Sequence, residues 1–186
     1  MTPEEQLQAL DVRARDQLSH PMGAARIVGI QRPQLAMLVW RFPAFEPYQS
    51  WCLIGGGGLD ADTWLVRQVT WQRSTDYERA THPLKQAQFM MEPAPVPTTK
   101  VVDAPASADL ARQIFDQISR LALPSLPMAD DIGIDGAVNG LEVQDGHIHI
   151  EWWRSGPPAW RAFTANVEQI RLALENHVSP PTCAIR

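Results

Sequence analysis

The sequence predicts an α+β fold in a single domain spanning residues 1–186: a mostly antiparallel sheet with an N-terminal helix and two amphipathic helices packed on one face. Three observations carry that expectation. Between Ala25 and Arg73, short β-branched and aromatic runs are cut by Gly and Pro, the texture of strands joined by turns. Around residues 110–121 and 163–174, apolar residues instead recur every three or four positions and so share one side of a helix. Asp145-Gly146 between two alternating segments marks a type I′ hairpin, because both central residues need positive φ.

The elements follow in chain order. Thr2, Pro3 and Glu5 form a capping box with proline at the first helical position, so a helix is expected from about Pro3 to Leu18, with Leu7, Leu10, Ala14 and Leu18 as its apolar stripe. His20-Pro21-Met22-Gly23 stops it. Strands are expected over Arg26–Gln31, Leu35–Phe42, Tyr48–Ile54 and Thr63–Arg73, then a short helical turn over Ser74–Ala80 and a further strand over Gln86–Met91. Prolines 93, 95, 97 and 105 fix φ and remove donors, so residues 93–105 read as an extended connector joining two halves, 1–92 and 106–186. We expect the halves to share one core, since each alone offers a thin set of strands. Ser107 caps a helix to about Ala122 that buries Leu110, Ile114, Phe115, Ile118 and Leu121, and Pro124 and Pro127 end it. In the hairpin, Val143 faces Ile148 and Leu141 faces Ile150. One face then carries those residues with Trp152, and the other carries Glu142, His147, His149, Glu151 and Trp153. A last helix from about Ala159 to His177 buries Phe163, Val167, Ile170 and Leu174.

Charge and composition exclude several function classes. Asp plus Glu (21) exceed Lys plus Arg (16), giving a net charge of −5 that repels phosphate backbones and anionic lipid, so neither nucleic acid nor membrane is an expected partner. The acidic first residues lack the positive and apolar regions of a secretory signal, and no apolar run approaches the ~20 residues of a bilayer span, so the expected location is cytoplasmic. Cys52 and Cys183 are too few and too far apart for a disulfide framework and are expected as free thiols.

Each chemical motif has a plainer competitor. His147, His149 and Glu142 are adequate ligands for a first-row metal, but no third His is near in sequence and such residues are ordinary on an outer hairpin, so a solvated or partner-facing strand is expected. Gly55 to Gly58 lacks the Lys-Ser/Thr of a phosphate loop and precedes Asp60 and Asp62, so a hairpin loop is expected. Cys52 lies in no nucleophile elbow and reads as a buried small hydrophobe. Arg41, Arg67, Arg73 and Arg79 interleave with Trp40, Trp64 and Trp71, a pattern that Arg stems packed over core rings produce as readily as a nucleic-acid platform. No catalytic residue and no cofactor are expected. Trp51, Trp153 and Trp160, with Glu151 and His149, are the candidate partner-binding residues, and Trp153 is the foremost exposed anchor.

Gly133-Ile134-Asp135-Gly136, Leu141-Glu142-Val143, the hairpin, Trp152-Trp153, the Pro157-Pro158 pair and the closing helix resemble a tail seen in small uncharacterised bacterial proteins. The resemblance covers about the last third of the chain, implies an α+β fold and carries no catalytic residue with it. In build and acidic balance the chain is also similar to toxin-neutralising immunity proteins, which act by occluding an enzyme. The expected function is a non-enzymatic protein-binding module of immunity or inhibitor type that meets a basic partner surface. The rival is a small-molecule-binding protein or enzyme with a Trp- and Arg-lined pocket between sheet and helices.

Overall fold

A computed structural model describes residues 2–57, 62–91, 95–122, 136–143 and 148–179. Its elements are α1 (Pro3–Ser19), β1 (Gln34–Pro43), β2 (Gln49–Gly55), β3 (Trp64–Trp71), α2 (Arg73–Thr81), α3 (Pro83–Met91), β4 (Thr99–Ala106), α4 (Ala108–Ser119), β5 (Ala137–Val143), β6 (Ile148–Trp153) and α5 (Arg161–Val178). The fold is α+β. All strand pairs are antiparallel, in a six-stranded sheet of order β4-β3-β2-β1-β5-β6. The late hairpin β5–β6 therefore extends the sheet beside β1, and strands from both sides of residues 93–105 share one hydrogen-bonded layer.

Alternation along each strand divides the core in two. Leu38, Trp40, Phe42, Cys52, Ile54, Leu65, Val69 and Trp71 point to one side, where the α1 stripe of Leu10, Ala14 and Leu18 covers them. Met37, Val39, Trp51, Leu53, Val66, Leu141 and Trp152 point to the other, beneath Ala111 and Ile114 of α4 and Phe163, Val167, Ile170 and Leu174 of α5. The two C-terminal amphipathic helices thus share one face and the N-terminal helix takes the opposite one. Burial on both faces explains why β1 to β3 show no clean polar side.

Local chemistry sets the helix starts. Thr2 Oγ1 accepts from Glu5 N at 3.2 Å while Thr2 N donates to Glu5 Oε2 at 2.6 Å, so the capping box opens α1. Ser107 Oγ accepts from Leu110 N at 3.1 Å and caps α4. The buried Asp76 carboxylate fastens α2 to the sheet: it accepts from Trp71 Nε1 (2.7 Å), Thr98 N (2.8 Å), Thr98 Oγ1 (2.7 Å) and Arg79 Nη1 (3.0 Å).

Three expected elements differ. Residues 26–31 form no strand, because Gly29 takes φ +85° and breaks the extended run. The segment instead crosses the α1 side, and Arg67 captures its backbone carbonyls. Gln86–Met91 lies in helix α3; Pro83 starts it, and straight-chain Lys, Gln and Met favour helix over strand. The connector's second half is β4, an edge strand paired with β3 from Trp71↔Thr99 to Trp64↔Ala106. An edge position is where a sheet tolerates Pro105, whose missing donor faces away from the neighbour.

Candidate functional site

The hairpin register is the expected one: Val143 pairs with Ile148, Leu141 with Ile150 and Glu142 with His149. The turn itself and His147 lie outside the described residues, as do Gly58, Asp60, Cys183 and Gly133 to Asp135. On the outward face, Glu151 is exposed and His149 Nδ1 sits 3.4 Å from Glu142 Oε2, its ring 5.2 Å from that of Trp40. Among the described residues, no three His, Cys, Asp or Glu side chains converge as a metal site would require.

The tryptophan candidates need correction. Trp51 is 0% exposed and lies under the Arg171 guanidinium, 4.8 Å from its ring centroid; Trp160 is 6% exposed and packs edge-on against Phe163. Neither presents a ring to a partner. Both belong to the face that α4 and α5 cover, a layer that strand alternation alone does not reveal. Trp153 is half-buried, lying against Gly136, where a Cβ would stand 2.9 Å from the indole.

The other motifs resolve into packing. The Gly56 N–H donates to Thr63 O (2.8 Å) and closes the β2–β3 hairpin, and the Gly57 N–H donates to Gln31 O (3.1 Å) and ties the loop to the segment before β1, so both groups are engaged by backbone and do not cradle a phosphate. Arg67 is buried and paired with Asp103, and Arg73 stacks over Tyr48, Trp71 and Tyr77. Neither forms an open platform. Burial pushes the Cys52 thiol up to about 12, against the opposing pull of the Arg67 charge. In a Cys183→Ser chain at pH 8, Cys52 is therefore expected to resist iodoacetamide for hours in the native state and to react within minutes in urea; rapid native alkylation would contradict its burial.

A concavity among the described residues lies elsewhere. A cleft of about 720 Å³ opens between α5 and the adjoining ends of β1, β5 and β6, walled by the loop after β1. This volume falls within the roughly 300–1,000 Å³ of small-molecule sites. Four arginines line it (Arg41, Arg154, Arg161 and Arg171) against two carboxylates, Glu46 and Glu168. Trp152, Val39 and Val167 supply apolar wall, and Asn139 and Thr164 supply polar groups.

Its parts are held in place by specific bonds. Arg154 adopts φ +53°, a left-handed conformation that costs a residue with a Cβ roughly 1–2 kcal/mol. Both ends of the residue are fixed: its N–H donates to Ala137 O at 2.8 Å and its carbonyl accepts from Asn139 Nδ2 at 2.8 Å. Gly136 makes room for its stem, since a Cβ there would lie 2.7 Å from Arg154 Cγ. Gly156, at φ +71°, completes the turn, and Thr164 Oγ1 donates to Ser155 O at 3.2 Å, tying the turn to α5.

The four arginines play different parts. Arg171 bonds Glu168 through Nε and Nη2 (both 2.8 Å) and Glu175 through Nη1 (2.9 Å), and these carboxylates, Glu168 foremost, raise its already high pKa. It serves as neutralised wall. Arg41 faces Glu46 only at 3.9 Å, a loose pair that a ligand anion can displace. The sequence reading passed over Arg154, Arg161 and Asn139. The local signal nearest them is Gly156-Pro157-Pro158, which marks the end of a strand but not a cleft.

Comparison of the chain with protein-family models, with curated proteins and with solved structures finds no match. Among the described residues, no helix is long and apolar enough to cross a membrane.

Proposed function

We propose that the chain is a binding protein whose cleft takes a small molecule bearing an oxyanion, a carboxylate or a phosphate. One observation carries this reading: in a chain whose net charge is −5, four arginines line one cleft against two carboxylates, and although Glu168 and Glu175 neutralise Arg171, the lining keeps an excess of cationic groups in Arg41, Arg154 and Arg161. Guanidinium groups match the planar fork of carboxylate and the edge of phosphate, and low-dielectric walls concentrate their field. The described lining is dominated by cationic and apolar side chains, the groups that hold an anionic ligand, and binding is the reading those groups support.

Citrate, a multivalent probe, is expected to raise Tm and to bind by calorimetry, while glycerol and sodium chloride at matched ionic strength do neither. Arg161→Ala should weaken citrate about tenfold, the size of one charge-assisted hydrogen bond. Arg154→Gly is the sharper variant. Glycine pays no penalty at φ +53°, so stability should stay within about 1 kcal/mol of the parent, or rise, while citrate binding falls about tenfold. Arg112, paired with Asp109 on α4, serves as the control whose replacement by alanine changes nothing. Citrate binding that survives loss of both Arg154 and Arg161 would refute the reading.

A second reading has its own support. The helix α1 packs on β1, β2 and β3, while the same sheet face over β5–β6 carries Glu142, His149 and the exposed Glu151. This acidic strip suits a basic protein partner of the kind an immunity or inhibitor protein occludes. Affinity capture from the native cell followed by Glu151→Lys exchange tests it: a stoichiometric partner should be lost on charge reversal, and retention would count against it.

A further inference from the structure

Resting on the cleft's binding an oxyanion, we propose that its ligand also carries an aromatic ring, and that Phe45 is the residue that selects it. Phe45 is 84% exposed, and among the described residues it is the one large exposed apolar side chain lining the cleft. Exposed Leu84, Met91 and Val28 stand on α3 and on the 26–31 segment, away from its walls. A single exposed hydrophobe needs no explanation on a mobile loop. This loop is fastened. Ala44 N donates to Gly136 O at 2.8 Å, Ala44 O accepts from Arg73 Nη1, and prolines 43 and 47 bracket the turn.

The fastening has a consequence for recognition. A ring held in water on a restrained backbone binds without the ordering cost that a flexible loop pays, so pre-organisation favours contact with a ligand face. The same bond from Ala44 to Gly136 links the Phe45 loop to the strand that positions Arg154, so the aromatic and cationic walls are set relative to each other. Trp152 lies deeper, held edge-on against Phe163 with ring centroids 5.6 Å apart, and adds apolar wall below. A ligand with an anionic head toward the arginines and a ring toward Phe45 satisfies both walls, and a bare anion leaves one unused.

Paired probes separate head from ring: 3-phenylpropanoate against propanoate, and phenyl phosphate against inorganic phosphate, each titrated by NMR into the full chain at fixed ionic strength. The ring-bearing member of at least one pair should bind roughly tenfold tighter. In Phe45→Ala that preference should shrink to less than about twofold with the ringless affinity unchanged, and Phe45→Tyr should restore it. The pair that responds names the head group as carboxylate or phosphate. Equal binding within both pairs, or a preference that persists in Phe45→Ala, overturns the role of Phe45 and leaves the oxyanion cleft standing. Binding of none of the four, together with no response to citrate, overturns both.

Discussion

Replacing Arg67 by alanine is expected to remove about 3 kcal/mol or more of stability, because it empties a fully buried site and removes donors from backbone carbonyls as well as breaking the pair with the part-exposed Asp103. The guanidinium is fully buried on the α1 side of β3 and holds five contacts. It makes a two-pronged pair with Asp103 of the neighbouring strand at 2.7 and 2.8 Å, and donates to the backbone carbonyls of Ala25 (2.8 Å), Pro21 (3.2 Å) and Arg26 (3.4 Å). These carbonyls belong to a segment without a ladder of its own, so Arg67 supplies donors that a sheet neighbour would otherwise provide. Loss of the side chain leaves a cavity, takes a donor from the Ala25 and Arg26 carbonyls, and leaves the Asp103 carboxylate without this partner. Urea denaturation is the measurement, with proteolysis at pH 7 as a second readout, since cleavage within residues 21–31 should accelerate before global unfolding. Asp103→Asn should also destabilise, because it strands the buried cation, and the double variant should lose less than the two singles added together. A loss below about 1 kcal/mol for Arg67→Ala would contradict this account.

Gly140→Ala is expected to cost about 3 kcal/mol or more, at the upper end of what overpacking a core does. Gly140 pairs with Trp40 across β1 and β5, and a Cβ built there would lie 2.0 Å from Trp40 Cζ2 and 2.1 Å from Cε2. Trp40 is 1% exposed, so the ring has no solvent to swing into. Either the indole leaves its rotamer or β5 moves off β1, and the second route loosens the hairpin that carries Asn139 and Arg154. Trp40→Phe, destabilising alone, should therefore partly rescue Gly140→Ala, a favourable coupling that a thermal-melt double-mutant cycle reads directly. If Gly140→Ala melts with the parent, the close approach of ring and backbone is not present in solution.

Local signals were readable wherever the determining interactions are short in sequence. The capping box at Thr2, the cap at Ser107 and the periodicity of α4 and α5 each depend on residues within a turn or two of one another. So does the hairpin register, which alternation on either side of Asp145-Gly146 specifies without help from the rest of the chain. Gln86–Met91 was misread despite local helix signals in Pro83 and its straight-chain residues, whereas two other failures have a long-range cause. Residues 26–31 have strand-like composition, but Gly29 and the Arg67 guanidinium, which donates to the carbonyls of Ala25 and Arg26 from a distant strand, hold them in another conformation. Trp51 was expected near an open face because one strand cannot show which of its sides the distant α5 will cover.

The cleft was the least legible feature for the same reason. The sequence could suggest a Trp- and Arg-lined pocket between sheet and helices, but of the four arginines it marked, Arg67, Arg73 and Arg79 are spent on Asp103, on aromatic rings and on Asp76, and Arg41 alone lines the cleft. Arg154, Arg161 and Asn139 went unremarked because nothing in their neighbours distinguishes them. They matter through position: β5 must lie beside β1, and α5 must fold back over the sheet, before residues 41, 45, 139, 154 and 161 can meet.

By itself, then, the sequence determined the α+β class, the helix caps and the pairing of the late hairpin, all governed by hydrogen bonds and alternation over a few residues. The tertiary structure alone decided which tryptophans are core, which arginines are structural and which surround a cleft. Burial and electrostatic partnership depend on surfaces distant in sequence being brought together, from Arg67 and Asp103 on neighbouring strands to Trp51 and Arg171 in opposite halves of the chain, and no local pattern encodes that meeting.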